Sequence, residues 1–246
     1  MKIIEVKDYT EMSQKAAEYI IEKVRQNPSI KLGLATGGTP VGTYNKLIED
    51  HKEHGTSYRN VTTFNLDEYI GLAGDDPNSY RFFMDEKLFN HIDIDKNNTN
   101  VPSGTNQDNE EECTRYESLV AGSGGVDLQV LGIGSNGHIG FNEPGTSFTS
   151  QTHVIELAPS TIEANARFFE RIEDVPTKAI TMGISTIMKS KEILLLVSGE
   201  TKNDAMSKLL EGDVTESFPA SVLKNHPSVT IIADKAAVSG LKTHRQ

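Results

Sequence analysis

Ile30-Lys31-Leu32-Gly33-Leu34-Ala35-Thr36-Gly37-Gly38-Thr39-Pro40 passes from an apolar run, through two adjacent glycines, into a stretch with helical spacing. An apolar run without alternation is what a strand buried on both faces requires, because a parallel sheet is covered by helices on each side. The same transition recurs along the chain. Strand patterns occur at residues 2–6, 30–35, 61–66, 127–132, 153–157, 179–182, 192–197 and 229–233. Helical patterns lie between them at 10–26, 41–54, 79–91, 108–121, 160–170, 202–211 and 220–225. The alternation predicts an α/β fold with a mostly parallel sheet and helices on both faces. No repeat or Pro/Gly-rich linker divides the chain, so residues 1–246 are read as a single domain.

Composition narrows the function. With 24 Lys and Arg against 35 Asp and Glu, the net charge of −11 repels polyanions at long range and argues against nucleic-acid binding. An anionic ligand would need a local site. No apolar stretch approaches the ~20 residues of a membrane span, and residues 1–9 lack the order of a signal peptide, so a cytoplasmic protein is expected. Cys113, the only cysteine, has no disulfide partner and fits a reducing compartment.

Ligands of open α/β sheets bind beyond the carboxyl ends of the strands, so the segments that follow strands deserve inspection first. In the opening stretch, Gly37 and Gly38 let backbone amides turn toward an anion, and the following helix adds its partial positive charge. Thr36 and Thr39 supply hydroxyls. No Gly-Lys-Ser/Thr follows, so this is not a nucleotide-triphosphate loop, and Pro40 suits a first helical turn. The strand at 61–66 ends in Asp67-Glu68-Tyr69. A carboxylate partly withdrawn from water there gains a pKa useful for a general base, and Asp67 is nearer the strand end.

After the strand at 127–132 comes Gly132-Ile133-Gly134-Ser135-Asn136-Gly137-His138-Ile139-Gly140-Phe141-Asn142-Glu143-Pro144. Its glycines satisfy the dinucleotide fingerprint, with Glu156 near the spacing of a ribose-binding acid. That fingerprint must open a helix, whereas Gly140, Asn142 and Pro144 interrupt one. What remains is a permissive loop presenting His138 and Glu143, an imidazole that exchanges protons near neutral pH and a carboxylate able to orient it. Two ligands at most speak against a metal site. Arg167 and Lys202 are the cations suited to a phosphate, although by position alone either could be a surface charge.

Four strings in this order, Thr36-Gly37-Gly38-Thr39-Pro40, Phe64-Asn65-Leu66-Asp67-Glu68-Tyr69, residues 137–144 and Arg167-Phe168-Phe169, resemble the glucosamine-6-phosphate deaminase family. The likeness runs from Met1 to about Val238. It implies a modified Rossmann-like, three-layer domain and conversion of glucosamine 6-phosphate and water to fructose 6-phosphate and ammonia, in amino-sugar catabolism. It implies no metal or organic cofactor. By the same resemblance Thr36, Gly37, Gly38, Thr39, Arg167 and Lys202 hold the sugar phosphate, and His138, with Glu143 as its charge partner, opens the pyranose ring. Asp67 moves the proton between C2 and C1.

One departure concerns Asn136, which stands where many family members carry an acid. It can orient the imidazole but cannot accept its proton, which makes an acid–His–acid relay doubtful here. A second concerns regulation. Longer members activated by N-acetylglucosamine 6-phosphate use basic residues shortly after the Glu-Pro, where this chain has His153 and Ile155, and a C-terminal extension not found in these residues. No such activation is expected. Rival readings are a 6-phosphogluconolactonase-like hydrolase and a non-catalytic sugar-phosphate sensor, and both a monomer and a homo-oligomer stay open.

Overall fold

The computed structural model describes residues 1–241, except the side chains of Ser160, Ala164, Asn165 and Phe168. Residues 242–246, which the single-domain reading includes, lie outside the described part, as does the Phe168 side chain of the Arg167-Phe168-Phe169 string. Strands β1 (Lys2–Val6), β2 (Lys31–Leu34), β3 (Thr62–Asn65), β5 (Thr99–Asn100), β6 (Leu128–Leu131), β9 (Glu192–Val197) and β10 (Val229–Asp234) form one sheet. Their spatial order is β1-β10-β9-β6-β2-β3-β5, and every pairing is parallel. A second sheet is antiparallel and small, in the order β4 (Asp67–Tyr69), β8 (Lys178–Thr181), β7 (His153–Glu156).

Helices α1 (Tyr9–Gln26), α2 (Val41–His54) and α3 (Tyr80–Lys87) cover one face of the large sheet. Their apolar sides meet Leu32, Leu34, Leu128, Val130, Leu194 and Ile232. Helix α1 shows why it forms where it does. Asp8 caps it by accepting from the Glu11 amide at 3.0 Å, and Met12, Ala16, Ala17, Ile20 and Val24 give one buried stripe at helical spacing. The other face is covered by α4 (Asn109–Gly122), α6 (Ile184–Met188), α7 (Asn203–Glu211) and α8 (Lys235–Val238), packed on Phe64, Leu131, Ile193, Leu195 and Ile231. Burying apolar area on both faces at roughly 25 cal/mol per Å² is the main source of stability. The remaining helix, α5 (Pro159–Asn165), continues as a 3-10 turn at Ala166–Phe168.

Several expectations shift. The run 153–157 and the run 179–182 are strands, but they pair with Asp67–Tyr69 in the second sheet and not with the parallel one. The acids at 67–68 thus not only end the strand at 61–66 but begin another, because the chain leaves the large sheet at Leu66 and pairs at once with Thr181 and Ile180. Helices at 79–91, 160–170 and 220–225 are shorter or tighter. The first stops at Lys87 before a 3-10 turn, the second stops at Asn165, and the third is the 3-10 segment Pro219–Asn225. Pro40 is the N-cap of α2 and not its first turn.

Candidate active site

The direction of strand succession reverses between β2 and β6, neighbours in the sheet although far apart in sequence. Such a switch point splays the two following loops and leaves a crevice. Here it is a cleft of about 370 Å³, with walls from residues 35–40 after β2, Leu66 and Asp67 after β3, the loop at 132–141 after β6, and Lys202 beyond β9. That volume lies in the range of small-ligand sites. A more open hollow of about 500 Å³ between α1 and α2 is lined by the largely charged outer sides of those helices and by no loop that follows a strand.

Of the residues singled out above, Thr36, Gly37, Gly38, Thr39, Asp67, His138 and Lys202 line this cleft. Gly37 has φ 91°, the left-handed region that favours glycine, and lets the loop reverse before α2 begins. Lys202 is half-buried, its Nζ donates to the Ile133 carbonyl at 2.6 Å, and burial pulls its pKa below the ordinary lysine value. Arg167 is exposed in the 3-10 turn Ala166–Phe168 and is not part of the cleft wall.

Asp67 and Glu68 point to different tasks. The Glu68 carboxylate accepts from the backbone amides of Tyr69, Tyr80 and Arg81 at 2.9, 2.9 and 3.0 Å and so caps the start of α3. Asp67 is 8 % exposed, faces the cleft, and has no hydrogen bond to its carboxylate among the described residues. Burial, and then the neighbouring Glu68, push its pKa up to about 8, because a carboxylate without donors loses its hydration and gains nothing in return.

His138 is oriented by its own loop. The Gly134 amide donates to the His138 carbonyl at 2.9 Å, and a Cβ at Gly134 would lie 2.0 Å from His138 Nδ1, so only glycine leaves room for the ring. Asn136 sits between His138 and Glu143. Its Nδ2 donates to Glu143 Oε2 at 2.7 Å, and its Oδ1 lies 2.8 Å from His138 Nδ1, whereas Glu143 Oε1 is 3.8 Å from that nitrogen. Glu143 can only accept, so it turns the amide nitrogen toward itself and the amide oxygen toward the imidazole. A neutral His138 must then carry its proton on Nδ1 and present Nε2 as the base. Burial lowers the His138 pKa, opposed by Glu143 and aided by Lys202, which keeps the ring neutral near pH 7.

Tyr80 and Phe141 also line the cleft and were not singled out from the sequence. The Tyr80 hydroxyl donates to Tyr69 Oη at 3.1 Å and reaches the Thr36 side chain, and its ring lies parallel to Phe141 at 6.2 Å. Burial raises the Tyr80 pKa well above the phenol value, so it stays a donor. A position in the first turn of α3, straight after the Ser79 cap, is the local signal that could have pointed to it. Among the described residues no group of three or more His, Cys, Asp or Glu is arranged to hold a metal ion, and no helix is long and apolar enough to cross a membrane.

The model of glucosamine-6-phosphate isomerases/6-phosphogluconolactonase matches residues 7–232. A glucosamine-6-phosphate deaminase of Geobacillus sp. (strain WCH70) is 62 % identical over 239 residues, 97 % of this chain and 95 % of the relative. Glucosamine-6-phosphate deaminase 1 of Bacillus subtilis (strain 168) is 54 % identical over 97 % of this chain and 99 % of its own. The solved structure of a monomeric glucosamine-6-phosphate deaminase superposes with a TM-score of 0.94 at 53 % identity, covering 98 % of this chain and 100 % of the other. A 6-phosphogluconolactonase from Trypanosoma brucei, 19 % identical with a TM-score of 0.76 over 98 % of each chain, shares the fold. The chain therefore belongs to the glucosamine-6-phosphate isomerase/6-phosphogluconolactonase family.

Proposed function

We infer that the chain converts glucosamine 6-phosphate and water to fructose 6-phosphate and ammonia. Relatives 52–62 % identical over nearly their whole length carry the deaminase name, whereas the lactonases are about 20 % identical and share only the fold. The observation that carries the reading into chemistry is the cleft itself, whose walls combine a glycine loop at a helix start and Lys202 with a donor-free buried carboxylate and an oriented imidazole.

The roles follow from those groups. Thr36, Gly37, Gly38, Thr39 and Lys202 hold the phosphate, and Arg167, exposed and outside the cleft wall, is the further cation that the family resemblance assigns to it. His138 Nε2 takes the proton from the C1 hydroxyl and returns one to the ring oxygen, which opens the pyranose to the aldehyde. Asn136 and Glu143 keep the imidazole in the tautomer this needs. Asp67 then removes the proton at C2 while the C1 oxygen takes one from the substrate's own ammonium group, and the enolamine so formed receives the Asp67 proton at C1. The resulting imine at C2 is hydrolysed by water, releasing ammonia and leaving the ketose. Each step is a proton transfer or a hydration, so none requires a metal or organic cofactor. Residues 1–246 act as one domain, in the cytoplasm, and one copy supplies every group named.

The test is release of ammonia and fructose 6-phosphate from glucosamine 6-phosphate by the purified protein in a chelator-containing buffer. Equal amounts of both products are expected. Hydrolysis of 6-phosphogluconolactone with neither product formed would favour the lactonase instead.

A further inference from the structure

We propose that Tyr9, at the first position of α1 and outside the cleft, is a positioning residue that presets the phosphate loop. The inference rests on reading residues 36–39 as that loop. Two adjacent glycines lose more conformational freedom on ordering than any other pair, so a loop left to itself would be fixed only when the anion arrived, at a cost in affinity. Two phenols hold it beforehand. The buried Tyr44 takes its entry, accepting from the Ala35 amide at 3.2 Å and donating to the Ala35 carbonyl at 2.5 Å. Tyr9 takes its exit. Its hydroxyl proton is shared between the carbonyls of Gly38, at 2.9 Å, and Thr39, at 3.1 Å, while its oxygen accepts from the Gly42 amide at 2.9 Å.

Peptide planarity turns this into a statement about the cleft. In a trans peptide the C=O and the following N–H point in opposite directions. With the Gly38 carbonyl held outward by Tyr9, the Thr39 N–H faces the other way, toward the cleft that Thr39 lines. The Thr39 carbonyl is followed by Pro40, which has no N–H to offer. Turning that carbonyl outward therefore serves a different end, since it removes an acceptor that would repel a phosphate. One exposed hydroxyl thus sets a donor in and keeps two acceptors out, without touching the ligand.

Tyr9→Phe tests this, because it keeps the ring on a 37 % exposed residue and removes only the hydroxyl. Amide NMR titrations with inorganic phosphate are compared with steady-state kinetics on glucosamine 6-phosphate and with the melting temperature. In the unaltered protein phosphate should shift the Gly37, Gly38 and Thr39 amides. In the variant the phosphate Kd and the KM should both rise by roughly three- to tenfold, with kcat within about twofold and an unchanged melting temperature. Normal shifts in the unaltered protein with equal Kd and KM in the variant would overturn the role of Tyr9 alone. Phosphate shifts confined to other parts of the unaltered protein would overturn the phosphate-loop reading, and this inference with it.

Discussion

At the scale of single residues, the cleft treats two adjacent carboxyls unequally. Burial raises both, but Glu68 receives three backbone amides that hold it to about 7, and Asp67 receives none and sits at the cleft with its pKa pushed up to about 8. Two consequences follow. kcat/KM reports the free enzyme, so its acid limb should fall below pH about 8 and not near the usual carboxylate range, and a limb near 4 would contradict the assignment. The His138 limb lies lower, because that pKa is depressed below its ordinary value, and does not mask it. For stability, a carboxyl with a raised folded-state pKa holds its proton after the unfolded chain has released it. Its favourable contribution is complete below about 4 and lost as pH climbs to about 8. Relative to Asp67→Asn, the unaltered protein should therefore lose about 2 kcal/mol between pH 6 and 8, read as a widening gap in denaturation midpoints.

Sequence reading was informative at this scale where a residue's chemistry depends on its immediate neighbours. Asp67, His138 and the Thr36–Thr39 loop stand directly after strands, and the cleft gathers them. Tyr80 escaped because its relation to Asp67 runs through Glu68, twelve positions upstream, whose capping of α3 is visible only in three dimensions. Asn136 was seen as a departure, but its bridging of His138 and Glu143 depends on a loop geometry that spacing does not encode.

Among elements, the loop at 137–144 is held by its own buried amide. Asn142 is wholly buried and its Nδ2 donates to the carbonyls of Ile139 and Met182, both at 2.9 Å, tying the histidine loop to the end of β8. The Phe141 amide adds a bond to Thr181 Oγ1 at 3.2 Å. Asn142→Ala removes the Nδ2 bonds to both carbonyls, which keep the residue 142 amide and the Thr181 hydroxyl as partners, and should cost about 1–2 kcal/mol, with a fall in kcat as His138 loses its frame. Chemical denaturation and turnover measured together check this, and an unchanged midpoint would show that the amide is not what fixes the loop. The second sheet was illegible as a sheet for a related reason. Its three strands were visible in part as apolar runs, but β4 is Asp-Glu-Tyr, whose charges hide it, and nothing local tells 153–157 and 179–182 that their partner is Asp67–Tyr69. The edge strand β5 has only two residues, Thr99 and Asn100, too few to show any period.

Across the whole molecule, seven parallel strands place every reactive loop at one edge, and the reversal between β2 and β6 decides where the cleft opens. That layout was readable because strands buried on both faces are almost wholly apolar, as in Ile193–Val197 and Ile231–Ala233. The order of strands was not, since parallel crossovers leave no trace in local spacing. Regulation also belongs to this scale. His153 and Ile155 lie on β7, at the margin of the small sheet, and offer no fixed positive charge to a second phosphate. Rate against glucosamine 6-phosphate should be hyperbolic and unaltered by N-acetylglucosamine 6-phosphate, and a sigmoidal curve made hyperbolic by that compound would reverse this expectation.

The central claim is that Asp67 carries the proton between C2 and C1. It is tested most directly by the turnover of Asp67→Asn, with binding of glucosamine 6-phosphate measured alongside. Because the substitution removes the base and leaves the phosphate loop and Lys202 untouched, kcat should drop by roughly a thousandfold or more while the substrate Kd stays within a few-fold. Turnover within tenfold of the unaltered protein would contradict the account.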